Sequence, residues 1–252
     1  MFENLFSMQE KTCVITGGYR GLGAFMAQGF LEAGAKRVYI TGRKAQACIA
    51  AAAELSKFGE CIALPGDAST SEGLSQLVRE INEREDHIDV LVNNAGTAWG
   101  APFGEFPVKG WDKVMDINVK SPFFLTQALT PLLSKNASAQ HTSTVINIGS
   151  IAGILGNGLD TFSYAVSKSA IHQVTRVLAT ELAASHIRVN AIAPGRFYSK
   201  MTEFLSSDQA AFDEELQTIP MKRWGEPSDI AGVAIMLASQ AGAFITGQII
   251  PV

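Results

Sequence analysis

The chain has 252 residues, of which 47% are hydrophobic, so it contains enough apolar material for a large buried core. Its formal net charge is -4, and its 20 lysine and arginine residues are dispersed along the sequence. This excludes a basic stripe of the kind that binds nucleic acid or an anionic membrane. In addition, no apolar run reaches the roughly 18 residues that a membrane span needs. From the charge distribution and the apolar runs together, we expect neither nucleic acid nor a membrane as a partner.

The spacing of cysteines and histidines is not typical of a metal or redox site, and we expect no bound metal. An odd number of cysteines suits a reducing compartment, which predicts a cytoplasmic protein. The residues concerned are Cys13, Cys48, Cys61, His87, His141, His172 and His186.

Short apolar strands alternate with amphipathic helices, which predicts one α/β domain over residues 1–252 with a parallel, doubly wound sheet and right-handed crossovers. Residues 196–224 do not fit the alternation. Ligands bind beyond the carboxyl ends of strands in such sheets, so we interpret this segment as a substrate lid. The strands are predicted near 12–16, 37–41, 60–64, 89–93, 143–148, 188–193 and 248–252, and the helices include 44–58, 69–85, 107–135 and 162–185.

A glycine-rich turn separates the first predicted strand from the first predicted helix. The sequence TGGYRGLG at 16–23 follows the apolar run CVI at 13–15. Glycines let a backbone approach a pyrophosphate closely, and the N-terminus of a helix supplies N–H groups and a favourable dipole. The order of strand, turn and helix therefore predicts a dinucleotide site on a Rossmann-type fold.

Four residues carry candidate proton chemistry. Tyr164 and Lys168 are i and i+4 in a predicted helix, so both side chains project from one face. A neighbouring ammonium favours the phenolate, which would let a tyrosine with an ordinary pKa of about 10 exchange protons near neutral pH. Ser150 and Asn118 lie upstream and complete a candidate catalytic group.

Together these motifs resemble the classical short-chain dehydrogenase/reductase family over nearly the whole chain, a resemblance that implies the same Rossmann fold and oxidoreductase chemistry. The matching positions are the turn at 16–23, Asp67, the segment Asn93-Asn94-Ala95-Gly96, Asn118, Ser150, Tyr164, Lys168 and Pro194-Gly195.

The resemblance also implies a role for each catalytic residue. Ser150 holds and polarises a substrate carbonyl, and Tyr164 donates a proton to the developing alkoxide. Lys168 lowers the pKa of Tyr164 and binds the nicotinamide ribose hydroxyls. Asn118 positions a water that links Lys168 to solvent. Because the hydride comes from the cofactor, the protein supplies orientation, proton delivery and electrostatics.

The end of the second predicted strand indicates which dinucleotide binds. A protein that prefers NAD usually has an acidic residue there, which accepts a hydrogen bond from the ribose 2′-hydroxyl. This strand instead ends in Thr41-Gly42-Arg43. Arg43 and Arg20 can both pair with a 2′-phosphate, so we expect NADP(H) as the cofactor.

The other cofactor contacts follow from the resemblance. Asp67 and Ala68 line the adenine, and the segment 94–96 forms the adjacent wall. The backbone of Phe197 meets the nicotinamide carboxamide, and Ser199 meets the diphosphate. The full expected set is Gly17, Tyr19, Arg20, Gly21, Leu22, Arg43, Asp67, Ala68, Asn94, Gly96, Tyr164, Lys168, Pro194, Gly195, Phe197, Ser199 and Met201.

Three stretches, 94–100, 192–197 and 219–225, resemble rhamnolipid-type 3-oxoacyl reductases within the family. Housekeeping reductases of carrier-bound substrates present basic side chains near positions that align with Ala137 and Ser185, and neither is basic here. A coenzyme A thioester or a free ketone is therefore favoured over an acidic acyl carrier protein. Candidates for the substrate wall are Trp99, Phe103, Leu155, Phe197, Met201, Phe204, Phe212 and Trp224. Apolar residues at helical spacing more often belong to a core than to a pocket, so we expect about half of these candidates to be core residues.

The leading interpretation is NADPH-dependent reduction of a 3-oxoacyl thioester or bulky apolar ketone to a secondary alcohol. One alternative is an NAD(P)-dependent alcohol dehydrogenase for a sugar, a steroid or another secondary alcohol. A second is a non-catalytic module that senses the dinucleotide pool, against which the intact catalytic residues argue. Apolar residues cover more of helices 107–135 and 162–185 than one sheet face can bury, which predicts a homotetramer or homodimer.

Overall fold

The computed structural model describes residues 4–156, 160–197 and 209–252, without the side chains of 209–212. Its strands are β1 (Thr12–Ile15), β2 (Arg37–Gly42), β3 (Cys61–Pro65), β4 (Val90–Asn93), β5 (Ser143–Ile148), β6 (Ile187–Ala193) and β7 (Ile249–Pro251). Its α-helices are α1 (Gly21–Glu32), α2 (Ala45–Leu55), α3 (Ser71–Asn82), α4 (Val108–Met115), α5 (Ser121–Ser134), α6 (Phe162–Leu182), α7 (Gln209–Thr218) and α8 (Pro227–Ala238).

All seven strands pair in parallel in the order β3-β2-β1-β4-β5-β6-β7. The order reverses between β1 and β4, because the chain builds outward to β3 and then returns to pair β4 with β1. Ligands of doubly wound sheets bind at the carboxyl ends of the strands beside such a reversal. The predicted doubly wound parallel sheet is confirmed.

Alternate residues of the strands face two separate apolar layers, as the two-residue repeat of a strand requires. In β1, Cys13 and Ile15 pack into the layer that contains α1, α2 and α8, whereas Val14 packs into the layer with α3 and α5. All three side chains are fully buried. The sheet is thus covered on both faces, and its carboxyl edge is the place for a site.

Two elements differ from the sequence-based prediction. The helix expected at 107–135 is divided into α4 and α5 by a π-helical turn, Asp116–Lys120, which contains Asn118. The pattern also did not single out α8, because this helix is apolar on more than one face where it packs between α1 and the sheet. A π-helical turn inside an α-helix often marks a functional position.

Part of the expected lid at 196–224 is described. Residues 209–218 form α7, whereas Ser199, Met201 and Phe204 lie outside the described residues, as does the Phe212 side chain. The lid therefore stays a prediction. Within the described part of the chain, no helix is long and apolar enough to cross a membrane, and no cluster of three metal-ligating side chains occurs.

Candidate active site

The structure brings Ser150, Tyr164 and Lys168 together at the carboxyl edge of the sheet. Ser150 follows β5, and its side chain is hydrogen-bonded to the hydroxyl of Tyr164. Lys168 lies one turn beyond Tyr164 on α6, with its Nζ 5.5 Å from the centroid of the tyrosine ring. The same Nζ donates a hydrogen bond of 2.7 Å to the carbonyl oxygen of Ile148, the last residue of β5. In the structure, the side chains of Ser150, Tyr164 and Lys168 therefore lie side by side.

Burial dominates the protonation of this group. It raises the pKa of Tyr164, while the hydrogen bond with Ser150 and the positive charge of Arg196 act in the opposite direction. Burial also lowers the pKa of Lys168 from 10.5 to about 8. The expected lowering of the Tyr164 pKa is thus wrong as a net effect, because the loss of solvation outweighs the neighbouring charges.

Arg196 is a residue that the sequence reasoning missed. It directly follows Gly195, and its guanidinium forms an ion pair with Glu215 of α7. Its charge is the cation that opposes the rise in the pKa of Tyr164. The sequence feature that could have identified Arg196 is its position, a basic residue immediately after the Pro194-Gly195 pair.

Asn118 is buried in the π-helical turn and connects two parts of the site. Its amide nitrogen donates to the carbonyl of Thr97 and to the hydroxyl of Ser167, both at 2.9 Å, and its amide oxygen accepts from the Thr97 N–H at 2.9 Å. Ser167 in turn donates to the carbonyl of Tyr164 at 2.7 Å. Asn118 therefore holds the segment after β4 against the second turn of α6. Its role in positioning a water stays a prediction.

The glycine turn is attached to the end of β4. The Thr16 hydroxyl accepts hydrogen bonds of 3.0 Å from the backbone N–H groups of Asn94 and Ala95. The Asn94 amide donates to the carbonyls of Thr16 at 2.9 Å and Gly17 at 3.1 Å. Gly17 and Gly21 adopt φ angles of 64° and 53°, which favour glycine. Asn94 thus supports the turn at the point where the strand order reverses.

The N-terminus of α1 fits an anionic diphosphate. Its N-cap residue, Arg20, makes no side-chain cap hydrogen bond, and its first turn contains no acidic residue. An added Cβ on Gly23 would lie 2.5 Å from the Asn94 amide nitrogen and 2.6 Å from the Gly17 carbonyl oxygen. Only glycine fits there, and it lets α1 begin directly beside the turn. The N–H groups and the dipole of this helix end suit a phosphate.

The Tyr19 ring packs against Gly42 at the end of β2 and leaves no room for a larger residue there. An added Cβ on Gly42 would lie 2.4 Å from the Tyr19 ring, so the ring covers the position where an acidic residue would contact a ribose. The Arg20 guanidinium lies 5.3 Å from the centroid of the same ring. Arg43 follows Gly42 and, like Arg20, is exposed. Gly42 carries no carboxylate, and exposed arginines lie next to it in the chain and against the Tyr19 ring, a combination that fits a 2′-phosphate.

The residues expected near the adenine lie beside this site. Gly66, just after β3, donates a hydrogen bond of 3.1 Å to the carbonyl of Gly42. Asp67 accepts from the backbone N–H and hydroxyl of Ser69 at 3.0 and 2.6 Å, and the Ala68 carbonyl accepts from the Ser121 hydroxyl at 2.5 Å. The loop after β3 is thereby fixed beside the end of β2 and the start of α5.

Gly96 lies beside Asn118 and Lys168. An added Cβ would lie 3.3 Å from the Asn118 side-chain oxygen and 3.8 Å from Lys168 Nζ. Leu22 is partly buried and packs against the core below the glycine turn.

The segment after β6 is hydrogen-bonded to the turn after β5 and to Val252. The Pro194 carbonyl accepts from the Ile151 N–H at 3.1 Å, and the Gly195 N–H donates to the Val252 carbonyl at 2.7 Å. Phe197 and Trp224 are buried, with 4% and 5% of their surface exposed. Of the candidates for the substrate wall, these two therefore belong to the part expected in the core.

Phe103 lies in an aromatic groove that contains Phe162. It is 83% exposed, and its ring centroid is 5.5 Å from that of Phe162. Phe162 precedes Tyr164 by two residues, which is a rotation of about 200° around α6. The two side chains therefore lie on nearly opposite faces of the helix. The groove has a volume of about 320 Å³ and is lined by Phe103, Phe106, Pro107, Val108, Trp111 and Phe162.

Fold and site define a dinucleotide-binding oxidoreductase, and the chain belongs to the short-chain dehydrogenase/reductase family. A family model described as "Enoyl-(Acyl carrier protein) reductase" matches residues 17–252. The chain is 49% identical to a rhamnolipids biosynthesis 3-oxoacyl-[acyl-carrier-protein] reductase of Pseudomonas aeruginosa, over 98% of this chain and 96% of the relative. It is 38% identical to a 2-dehydro-3-deoxy-D-gluconate 5-dehydrogenase of Dickeya dadantii, over 100% and 97% of the two chains.

Solved structures give the same family. The Pseudomonas aeruginosa RhlG/NADP active-site complex superposes with a TM-score of 0.96 at 48% identity, covering 99% of this chain and 97% of that one. A gluconate 5-dehydrogenase from Burkholderia cenocepacia in complex with NADP and tartrate superposes with a TM-score of 0.91 at 29% identity, covering 99% and 96%.

Proposed function

We propose that this protein is an NADPH-dependent carbonyl reductase that converts a 3-oxoacyl thioester or bulky apolar ketone to a secondary alcohol. The observation that carries the proposal is the hydrogen-bonded Ser150–Tyr164 pair with Lys168 beside it, at the reversal of the sheet. The 49% identity to a 3-oxoacyl reductase supports this substrate class.

The protein's own groups account for the proton chemistry. A raised pKa keeps Tyr164 protonated at neutral pH, so it is ready to donate to a developing alkoxide. Ser150 shares a hydrogen bond with Tyr164 and can orient the substrate carbonyl toward it. The phenolate left behind is favoured by that hydrogen bond and by the charge of Arg196. NADPH, when bound, supplies the hydride.

The cofactor is NADP(H). We propose that Arg20 and Arg43 hold its 2′-phosphate while the Tyr19 ring excludes an acidic residue at Gly42. The N-terminus of α1 would receive the diphosphate. The loop after β3 and the 94–96 segment would enclose the adenine, and Pro194, Gly195 and the Phe197 backbone would meet the nicotinamide end. The expected contacts of Ser199 and Met201 remain part of the proposal.

The test is a substrate panel followed by NADPH absorbance. It compares a medium-chain 3-oxoacyl thioester on coenzyme A, the same acyl group on acyl carrier protein, a bulky apolar ketone and 5-ketogluconate. We expect turnover of the thioester or the apolar ketone, and its loss in Tyr164→Phe. No turnover of any carbonyl compound, or turnover that persists in Tyr164→Phe, would overturn the proposal.

A sugar-acid dehydrogenase is the second candidate. Relatives named as gluconate-type dehydrogenases reach 38% identity over the whole chain. The structure adds one specific observation, the Arg196 charge that acts on Tyr164, because a guanidinium close to the proton donor could bind a substrate carboxylate. Preferential turnover of 5-ketogluconate in the same panel would favour this candidate.

We also propose a cytoplasmic homotetramer or homodimer. Three free, buried thiols suit a reducing compartment. Phe124 on α5 and Val166 and Val177 on α6 are 46%, 44% and 55% exposed, which suits an apolar face covered by a second copy. Light scattering at micromolar concentration tests the assembly, and a monomeric mass would contradict it.

A further inference from the structure

We infer that His172 is a positioning residue that fixes Ser150 relative to Tyr164 and Lys168, an inference that rests on the proposed function of that group. His172 lies one turn beyond Lys168 and two turns beyond Tyr164 on α6. All three side chains therefore follow one face of the helix. The His172 ring contacts the chain on both sides of Ser150.

The first contact is with the residue before Ser150. An added Cβ on Gly149 would lie 2.1 Å from Nε2 of His172 and 2.7 Å from its Cδ2. The imidazole thus rests directly on the Gly149 backbone, where no other residue type would fit. Only 4% of the His172 surface is exposed. The volume of this ring sets how closely the end of β5 approaches α6.

The second contact is with the turn after Ser150. The imidazole is hydrogen-bonded to the backbone of Gly153, and the Ser169 hydroxyl donates to the Gly153 carbonyl at 2.8 Å. An added Cβ on Gly153 would lie 2.5 Å from the carbonyl carbon of Lys168, so this turn and α6 are in direct contact. His172 therefore fixes the Ser150 segment at both ends, 149 and 153.

The protonation of His172 suits this role. Burial and the charges of Lys168 and Arg176 lower its pKa to about 4, so the ring is neutral at neutral pH and adds no charge beside Lys168. Its Nε2 is buried and has no hydrogen-bond partner among the residues that the structure describes. A buried polar atom without a partner costs free energy and calls for an explanation other than stability. Positioning of Ser150 supplies one.

Three variants test the size complementarity: Gly149→Ala, His172→Ala and the double variant. We expect Gly149→Ala to lower kcat by about 10-fold to 10²-fold, because small misplacements of reacting groups have effects of that order. The Kd for NADPH should change by less than about threefold, since the glycine turn at 16–23 is not in contact with the substituted residue. The double variant should recover at least about threefold of the lost kcat, because the smaller side chain makes room for the new methyl group.

A second pair of variants separates volume from hydrogen bonding. His172→Gln can still donate to the Gly153 backbone and should retain a higher kcat than His172→Leu, which keeps only the volume of the side chain.

The matched controls are Gly232→Ala and His141→Ala. The new Cβ at position 232 has nothing within 4 Å, and His141 is exposed. Both variants should behave as the unaltered protein.

Hydrogen exchange provides a readout that does not depend on turnover. In His172→Ala the amides of residues 149–153 should exchange faster than in the unaltered protein, while those of β1 and the glycine turn stay unchanged. Equal exchange at 149–153, or kcat losses that simply multiply in the double variant, would overturn the inference. If the unaltered protein reduces no carbonyl compound, the proposed function fails, and the exchange result still decides the role of His172.

Discussion

The buried charge of Lys168 should lower the free energy of unfolding of the protein. Its ammonium is buried, with 5% of the residue exposed, and its hydrogen-bond acceptor is a single backbone carbonyl, that of Ile148. A pKa lowered from 10.5 to about 8 by burial corresponds to about 3 kcal/mol of unfavourable free energy for the charged form. Replacing Lys168 by methionine removes that charge and keeps an unbranched side chain of similar length.

The expected gain is smaller than the full cost of burial. Lys168→Met also leaves the Ile148 carbonyl without its donor, which costs about 1–2 kcal/mol. At pH 7 the free energy of unfolding should therefore rise by about 1–2 kcal/mol, while reduction of the carbonyl substrate is lost. Stability would increase at the expense of catalysis, as is common when a strained active-site group is replaced.

The pH dependence separates this explanation from a general packing effect. Because the pKa of Lys168 is lower in the folded than in the unfolded state, the unfolded state binds more protons between pH 8 and 10.5, and the unaltered protein gains stability as the pH rises through that window. The advantage of Lys168→Met should shrink accordingly.

The assay is urea unfolding at fixed protein concentration at pH 7 and again near pH 10, with Lys109→Met as the control. Lys109 is an exposed lysine in α4. A destabilised Lys168→Met at pH 7, or an advantage that does not depend on pH, would refute the reasoning.

Three further outcomes are expected. Tyr164→Phe should reduce turnover by on the order of 10² or more while NADPH still binds, measured by steady-state kinetics and fluorescence titration, and near-normal turnover would contradict the proton-donor role. Arg43→Asp should shift cofactor preference toward NADH, with an effect that weakens as salt is added, and equal use of both cofactors by the unaltered protein would contradict the two-arginine site. Arg196→Gln should raise the pKa of Tyr164 further, so the rise of alcohol oxidation with pH should move to higher pH, whereas Arg196→Lys keeps the charge; identical profiles for all three proteins would exclude this electrostatic role.

The burial of large apolar side chains and the π-helical turn could not be predicted from the sequence alone. Phe197 and Trp224 were expected in a substrate wall because they are large and apolar, yet both are buried in the interior. Residue type alone does not distinguish a pocket from a core, because both are lined by the same side chains. The π-helical turn around Asn118 was likewise invisible, since the apolar repeat of 107–135 runs through it without a break.

The sequence by itself determined what depends on local order. The alternation of apolar segments specified seven strands close to their observed bounds, and the glycine pattern at 16–23 placed the turn between β1 and α1. The spacing of Tyr164 and Lys168 placed their side chains together, since a helix turns every 3.6 residues.

Only the tertiary structure decided the environments of these groups. Burial raises the pKa of Tyr164 and lowers that of Lys168, the Tyr19 ring covers Gly42, and His172 lies against Gly149. Each of these facts depends on segments that are distant in sequence and meet only when the sheet is assembled. Solvent exclusion and close packing depend on these tertiary contacts, so no local sequence pattern can encode them.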